Sequence, residues 1–243
     1  MDKSYYLFFL LALLSEIIGT ISGFGSSILF VPLASIFINF KLVLGITAVF
    51  HVFSNLSKIF LFQKGINRNI AIKLGIPAVI FVILGAYLTS VIPLKEIELS
   101  MNLIILGLTI LLISGVGKKI EQTNFNLYTG GVISGFMAGL IGTGGAIRGI
   151  TLAAFGLEKN IFIATSALID LGVDTSRAVV YILQGYFQKE HLIFIPFLII
   201  IAILGSYLGK KVLVFLPEKY FHYVVLGVIA AISVLQTIQY FRA

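Results

Sequence analysis

Six polar side chains form one stripe on a predicted helix over residues 161–186, and they include two acids and a base. The spacings between them are 4, 4, 3, 4 and 3 residues, so all six share one helix face. Carboxylates and a guanidinium on one face can carry protons or bind an ion, and an acid three residues before an arginine can pair with it. The six residues are Ser166, Asp170, Asp174, Arg177, Tyr181 and Gln184.

A second stripe repeats this pattern on a predicted helix over residues 43–63. Thr47, His51, Asn55 and Lys58 have spacings of 4, 4 and 3, and each lies 119 positions before its counterpart in the first stripe. Two interpretations are open: the stripes are polar seams that hold helices together, or they line a pathway. We favour the pathway because the part that the two stripes share ends in a cation in both, Lys58 and Arg177.

Two glycine clusters, also 119 positions apart, interrupt apolar runs over residues 5–38 and 126–157. Both runs are too long for a single span, and glycine weakens a helix, so we expect two broken helices joined by unwound backbone. Free amides and the dipole at the start of each second half-helix attract anions, although close helix packing also explains glycines. The clusters contain Gly23, Gly25, Ser26 and Ser27 in the first run, and Gly142, Gly144 and Gly145 in the second.

Three titratable residues accompany the breaks. Arg148 lies one turn into the second half-helix, and a guanidinium beside free amides suits a tetrahedral oxyanion or a sulfonate. Glu16 precedes the first break, where it either takes up a coupling proton or pairs with Arg148 or Lys58. His51 either shuttles protons or is a hydrogen-bonded packing residue, and it has no neighbour at a metal-ligand spacing.

The composition indicates a membrane protein rather than a soluble one. Of the 243 residues 59% are hydrophobic and 11% are charged, whereas soluble domains average about 45–50% and about 25%. These values exclude a soluble enzyme, a secreted disulfide scaffold, a disordered tail and a nucleic-acid module. The chain has no cysteine and a net charge of +7, which suits lipid head groups and a small anion.

The apolar runs predict an all-α polytopic membrane protein with about eight spans. They cover residues 5–38, 43–63, 70–92, 98–117, 126–157, 161–186, 191–213 and 219–241. The shared offset predicts two tandem four-helix repeats, 1–120 and 121–243, in which the first helix of each is broken at its glycine-rich loop. If the broken runs are full hairpins, the count becomes ten and the repeats are inverted.

Several of these residues resemble a known family. The glycine-rich break followed by Ala164-Thr165-Ser166, together with Thr47 to His51 and Ser54 to Lys58, resembles the sulfite exporter TauE/SafE family of membrane permeases. The resemblance covers nearly the whole chain. It implies movement of small sulfur-containing anions such as sulfite, sulfonates or sulfoacetate, driven by an ion gradient.

We therefore expect a secondary transporter for such an anion in a bacterial or archaeal plasma membrane, with alternating access between the repeats. The glycine clusters, Lys58, Arg148 and Arg177 would bind the substrate, while Glu16, His51, Asn55, Asp170 and Asp174 would couple or gate. The expected partners are the anion, the lipid and a coupling proton or sodium ion, with homo-oligomer formation open, and without cofactor, metal or nucleic acid. The alternatives are an anion channel and an intramembrane acid–base enzyme.

Overall fold

The structure, a computed structural model, describes residues 3–63, 65–114 and 121–213, together with residues 234 and 238. Within these ranges the regular elements are helices, as predicted, and the predicted run over residues 219–241 lies almost wholly outside them. The helices are α1 (Lys3–Ser22), α2 (Ser27–Ser35), α3 (Phe40–Leu61), α4 (Arg68–Leu88), α5 (Leu94–Ile113), α6 (Asn124–Ile141), α7 (Gly145–Ala153), α8 (Lys159–Leu183), a 3₁₀ helix (Lys189–Phe194) and α9 (Ile195–Leu213).

Polar residues in the short connections start three of the long helices. The side chains of Asn39, Asn67 and Thr123 each accept a hydrogen bond from a backbone amide in the first turn of α3, α4 and α6. Such caps satisfy amides that have no partner within the helix.

Both long apolar runs break where the glycine clusters predict, but their second halves turn back. Phe8, in the first third of α1, contacts Phe30 of α2 with ring centroids 5.1 Å apart, and a Cβ on Gly130 of α6 would lie 2.5 Å from Oγ1 of Thr151 in α7. A helix continuing in the direction of α1 or α6 would move away from these residues. The structure therefore corrects the expectation of one interrupted crossing: α1–α2 and α6–α7 are hairpins.

The returning helices are short. Helices α2 and α7 have nine residues each, which corresponds to about 13 Å, less than half of the hydrocarbon core. The second helix of each hairpin is thus too short to cross the bilayer by itself, which fits neither the single crossing nor the full hairpin that the sequence left open.

Glycines allow the first helix of each hairpin to approach a helix far along the chain. Gly131, Gly135 and Gly139 of α6 lie against backbone carbonyls of α4, where any Cβ would overlap them. Gly205 and Gly209 of α9 lie in the same way against side chains of α1. Small residues permit such close backbone contact between membrane helices. The first helices of the two hairpins are therefore packed against α9 and α4, around a central pair formed by α3 and α8.

The exterior of the described helices is strongly apolar. Three of them are long and apolar enough to cross a bilayer by length and composition: Phe40–Leu61, Arg68–Leu88 and Lys189–Leu213, the last including the 3₁₀ helix. Ile72, Ile76 and Ile80 form an exposed stripe on α4, more than half exposed each. A continuous apolar surface of this kind suits lipid rather than water.

Candidate functional site

The two helix breaks meet inside the bundle. The Ser27 hydroxyl donates to Oγ1 of Thr143 over 3.2 Å, and a Cβ on Gly145 would overlap the Phe24 carbonyl oxygen. Gly25 and Gly142 have φ of +83° and +80°, which L side chains rarely adopt, so the turns that bring the breaks together need glycine. The two breaks, which the sequence places 119 positions apart, are therefore in contact in the structure.

A small cavity lies at this meeting point. The first turns of α2 and α7 border it, and neither Ser26 nor Gly144 caps its helix with a side chain, so amides are left for another acceptor. All predicted site residues except Gly23 and Glu16 line it. They are Gly25, Ser26, Ser27, His51, Asn55, Lys58, Gly142, Gly144, Gly145, Arg148, Asp170, Asp174 and Arg177.

The two exceptions lie close by in different settings. Gly23 faces the Phe162 ring, where a Cβ would lie 2.6 Å from a ring carbon. Glu16 is fully buried behind Lys58, whose Nζ lies 2.8 Å from Oε1 of the glutamate. Of the two partners that the sequence left open for Glu16, the structure selects Lys58.

The cations of the site are all paired with acids. Lys58 pairs with Glu16, Arg177 pairs with Asp174 over 2.7 Å, and Arg148 pairs with Asp170. A buried charge is costly unless it is paired, which explains why each cation contacts a carboxylate. Three cations and three carboxylates leave the cluster formally neutral when His51 is neutral.

Glu16 is the most fully hydrogen-bonded of the three acids. Its carboxylate accepts bonds from hydroxyls of Ser26, Ser54 and Ser206 at 2.7–2.8 Å, and a longer one of 3.3 Å from Thr20. With Lys58 this makes five donors.

Arg177 is likewise fully engaged. Its Nη1 donates to the carbonyls of Gly142 at 2.7 Å and Ala138 at 3.3 Å, at the end of α6, and its Nε donates to Asp174. The remaining nitrogen, Nη2, lies 3.2 Å from Nδ1 of His51. Arg177 therefore caps the C-terminal end of α6, where the last carbonyls of a helix have no partner within the helix.

The contact with Arg177 also fixes the proton position of His51. A guanidinium can only donate, so Nδ1 accepts and the proton of the neutral ring is on Nε2. That nitrogen lies 2.9 Å from the Ser26 hydroxyl, which in turn donates to Glu16. His51 is thus a neutral link between the Glu16 and Arg177 contacts.

Arg148 differs from the other two cations because part of its fork is open. Its Nε donates to Ser166 over 2.9 Å and its Nη1 contacts Asp170. Among the residues that the structure describes, Nη2 has no hydrogen-bond partner, and Cβ atoms built on Gly25 and Gly145 would lie 3.7 and 3.4 Å from it. The open edge of Arg148 therefore faces the narrow gap between the two helix breaks.

The two central helices also meet through residues at equivalent positions of the stripes. Asn55 of α3 donates to Asp174 of α8 over 2.7 Å, and the two are 119 positions apart. Lower on the α8 stripe, Tyr181 bonds the Gly139 carbonyl and Gln184 bonds the Ala86 carbonyl. These last two contacts belong to helix packing, as the polar-seam interpretation expects.

The sequence interpretation missed the hydroxyls around Glu16. Ser54 lies one turn before Lys58 on α3, which was a readable signal, whereas Ser206 lies on α9 and nothing local connects it with Glu16. Among the described residues, no group of three or more histidines, cysteines or acids could hold a metal ion.

Apolar helices packed around a buried, charged cavity define a polytopic integral membrane protein. The model of the sulfite exporter TauE/SafE family matches residues 8–235, so the chain belongs to this family of membrane transporters. No curated protein and no solved structure matched the chain.

Proposed function

We propose that this protein is a secondary transporter that moves a small sulfur-containing anion, such as sulfite or an organosulfonate, across the plasma membrane in an ion-coupled cycle. The family supports the anion class. The cavity between the helix breaks supports the location of binding, and its small size favours a small solute.

The observation that carries the proposal is the open edge of Arg148. Its Nη2 faces the gap between the breaks, next to the uncapped first turns of α2 and α7. A guanidinium and backbone amides aimed at one point form charge-assisted hydrogen bonds to an oxyanion. Arg148 would hold the sulfur oxygens, and amides near Ser27 and Gly145 would complete the shell.

The other predicted site residues support this centre. Glycines at positions 23, 25, 142, 144 and 145 would let the two breaks approach the anion. Lys58 and Arg177 would contribute electrostatic potential while staying bound to their acids. Ser26, His51 and Asn55 would connect the two halves during gating.

We also propose that residues 1–120 and 121–243 are tandem repeats that rock against each other to give alternating access. Equivalent features support this: two helical hairpins, the packing of α1 on α9 and of α6 on α4, and the Asn55–Asp174 contact. The anion site would then lie where the two repeats meet.

Flux of labelled sulfite into proteoliposomes tests the proposal. We expect Arg148→Ala to lower flux by about tenfold to a hundredfold, since hydrogen bonds to charged groups contribute about 1.5–3 kcal/mol. Arg148→Lys should retain part of the flux, because it keeps the charge but loses the fork. The matched control is Arg68→Ala, which removes an exposed arginine from the start of α4.

Wild-type flux in Arg148→Ala would contradict the proposed site. Flux far above about 10³ per second would indicate an anion channel rather than alternating access. Chemical conversion of sulfite by the protein in detergent would indicate an enzyme.

A further inference from the structure

The three buried carboxylates of the site differ in how well they are held. Glu16 has five donors and Asp174 has two, from Asn55 and Arg177. Asp170 has a single donor, Arg148, among the residues that the structure describes. Its side chain is 14% exposed, against 0% for Glu16 and 6% for Asp174. Asp170 is therefore the acid that a proton can reach and whose charge is least stabilised by donors.

Among the cations of the site that the structure describes, Asp170 is also paired with the one that has an open edge. In the structure its carboxylate is the counter-ion of Arg148, and the whole cluster of six charges is neutral. An anion that joined Arg148 alone would leave one uncompensated negative charge inside the protein, which is costly. One proton on Asp170 removes that cost, because the carboxylate becomes a neutral acid and the anion takes over as counter-ion of Arg148.

We infer that Asp170 binds the coupling proton and that the Arg148–Asp170 pair carries one proton together with one monovalent anion, so that the loaded site is electrically neutral. This inference rests on the proposed function, and it specifies the coupling ion, its residue and the charge of the substrate. The transported species is a monoanion, such as a sulfonate or hydrogen sulfite. Net movement follows the combined proton and anion gradients.

The surroundings of Asp170 fit this assignment. Within the described part of the chain, the charged or titratable groups that line the cavity with it are Arg148 from α7, Lys58 and His51 from α3, and Asp174 and Arg177 from α8 itself. Helix α6 contains no charged residue, and those of α4 lie elsewhere: Arg68 is exposed and Lys73 bonds Asn124. Every cation facing Asp170 other than Arg148 already has its own acid.

The other candidates for the coupling site are occupied. The Glu16 carboxylate is surrounded by hydroxyls that would suit a sodium ion, but the Lys58 ammonium already lies 2.8 Å from it and 2.9 Å from the Ser54 hydroxyl. His51 accepts from Arg177 at Nδ1, so a second proton on its ring would face a guanidinium. A proton on Asp170 displaces no existing donor except Arg148, which the anion then engages.

Proteoliposomes and a labelled small alkylsulfonate test the inference, because a sulfonate keeps a single negative charge over the working pH range. In wild type we expect an inward proton gradient to drive accumulation. A membrane potential set with potassium and valinomycin should have no effect, nor should a sodium gradient. Proton uptake, followed with an enclosed pH-sensitive dye, should equal anion uptake one to one.

Asp170→Asn provides the decisive comparison. It should abolish accumulation driven by the proton gradient, lowering it at least tenfold, while exchange of internal for external sulfonate continues. Asp170→Glu should restore accumulation, and the control Glu121→Gln, at an exposed acid, should behave as wild type.

The possible failures are distinguishable. Accumulation by Asp170→Asn would overturn the residue assignment, and the dye measurement on wild type tests the stoichiometry even if that variant does not fold. Flux driven by potential or sodium, or anion movement opposite to the proton, would overturn one-to-one symport. Absence of any sulfonate or sulfite exchange by wild type would instead overturn the proposed function.

Discussion

The two helix breaks are bordered by buried charges of very different character. Beside the first, Glu16 and Lys58 contact each other and the hydroxyls of Thr20, Ser26, Ser54 and Ser206, hereafter the Glu16 cluster. Beside the second, Arg148 and Asp170, hereafter the Arg148 pair, have few other partners. At the positions equivalent to Glu16 and Arg148, the opposite half has Gly135 and Leu29.

This difference distinguishes buried charges that stabilise the packing from a buried charge that can bind a substrate anion. A buried ion whose donors and acceptors are all engaged stabilises the packing around it, and its removal leaves partners stranded. An arginine with an open edge on a cavity can accept a further anion. The number of unused donors, rather than the mere presence of a cation, therefore distinguishes Arg148 from Lys58 and Arg177.

The largest expected effect comes from opening the Glu16 cluster. Lys58→Ala strands the buried Glu16 carboxylate and should lower the free energy of unfolding by about 3–5 kcal/mol. Thermal unfolding in detergent measures it. The double variant Glu16→Gln/Lys58→Met removes both charges and should be more stable than Lys58→Ala. If the double variant were the less stable one, the cluster would not act as a closed pair.

Arg177→Met should have the next largest effect, about 3 kcal/mol, because it strands Asp174 and the carbonyls at the end of α6. Arg148→Met should destabilise less, since Asp170 borders the cavity and can take up a proton instead. The same unfolding assay compares them. Equal losses in the two variants would mean that Arg148 is as structural as Arg177.

Local features of the sequence were enough to predict the helix breaks and the two polar stripes. Glycine clusters and spacings of three and four residues act within a few turns, and so does the pairing of Arg177 with Asp174. The sequence therefore indicated nearly all of the residues that line the cavity.

Long-range packing decided what the sequence left open. The return of α2 depends on contacts such as Phe8 with Phe30. The choice of Lys58 over Arg148 as the partner of Glu16 depends on the packing of α1 against α9 and on the contact of the Glu16 side chain with α3. The capping of α6 by Arg177 was missed for the same reason, since its acceptors belong to another helix. Whether all hydrogen-bond donors of a buried cation have acceptors depends on partners that are distant in the sequence.

Gly145→Ser tests whether the second break can be made like the first, which has Ser26 at the equivalent position. Its Cβ would overlap the Phe24 carbonyl, so we expect a loss of about 1–3 kcal/mol from overpacking and a loss of anion flux. Unfolding and flux are measured on the same preparation. Ser26→Gly is the converse change. Wild-type flux in Gly145→Ser would show that transport does not need the close approach of the two breaks.

The smallest expected effects probe single donors of the Glu16 cluster. Ser206→Ala removes a 2.8 Å bond from α9 and should cost about 1 kcal/mol, whereas Thr20→Val removes a 3.3 Å bond and should cost less than about 0.5 kcal/mol. Neither change strands a charge, because Lys58 and the other hydroxyls remain, so anion flux should persist in both. A loss of flux in Ser206→Ala without a loss of stability would mean that the Glu16 cluster takes part in transport, and the contrast with the Arg148 pair would no longer hold.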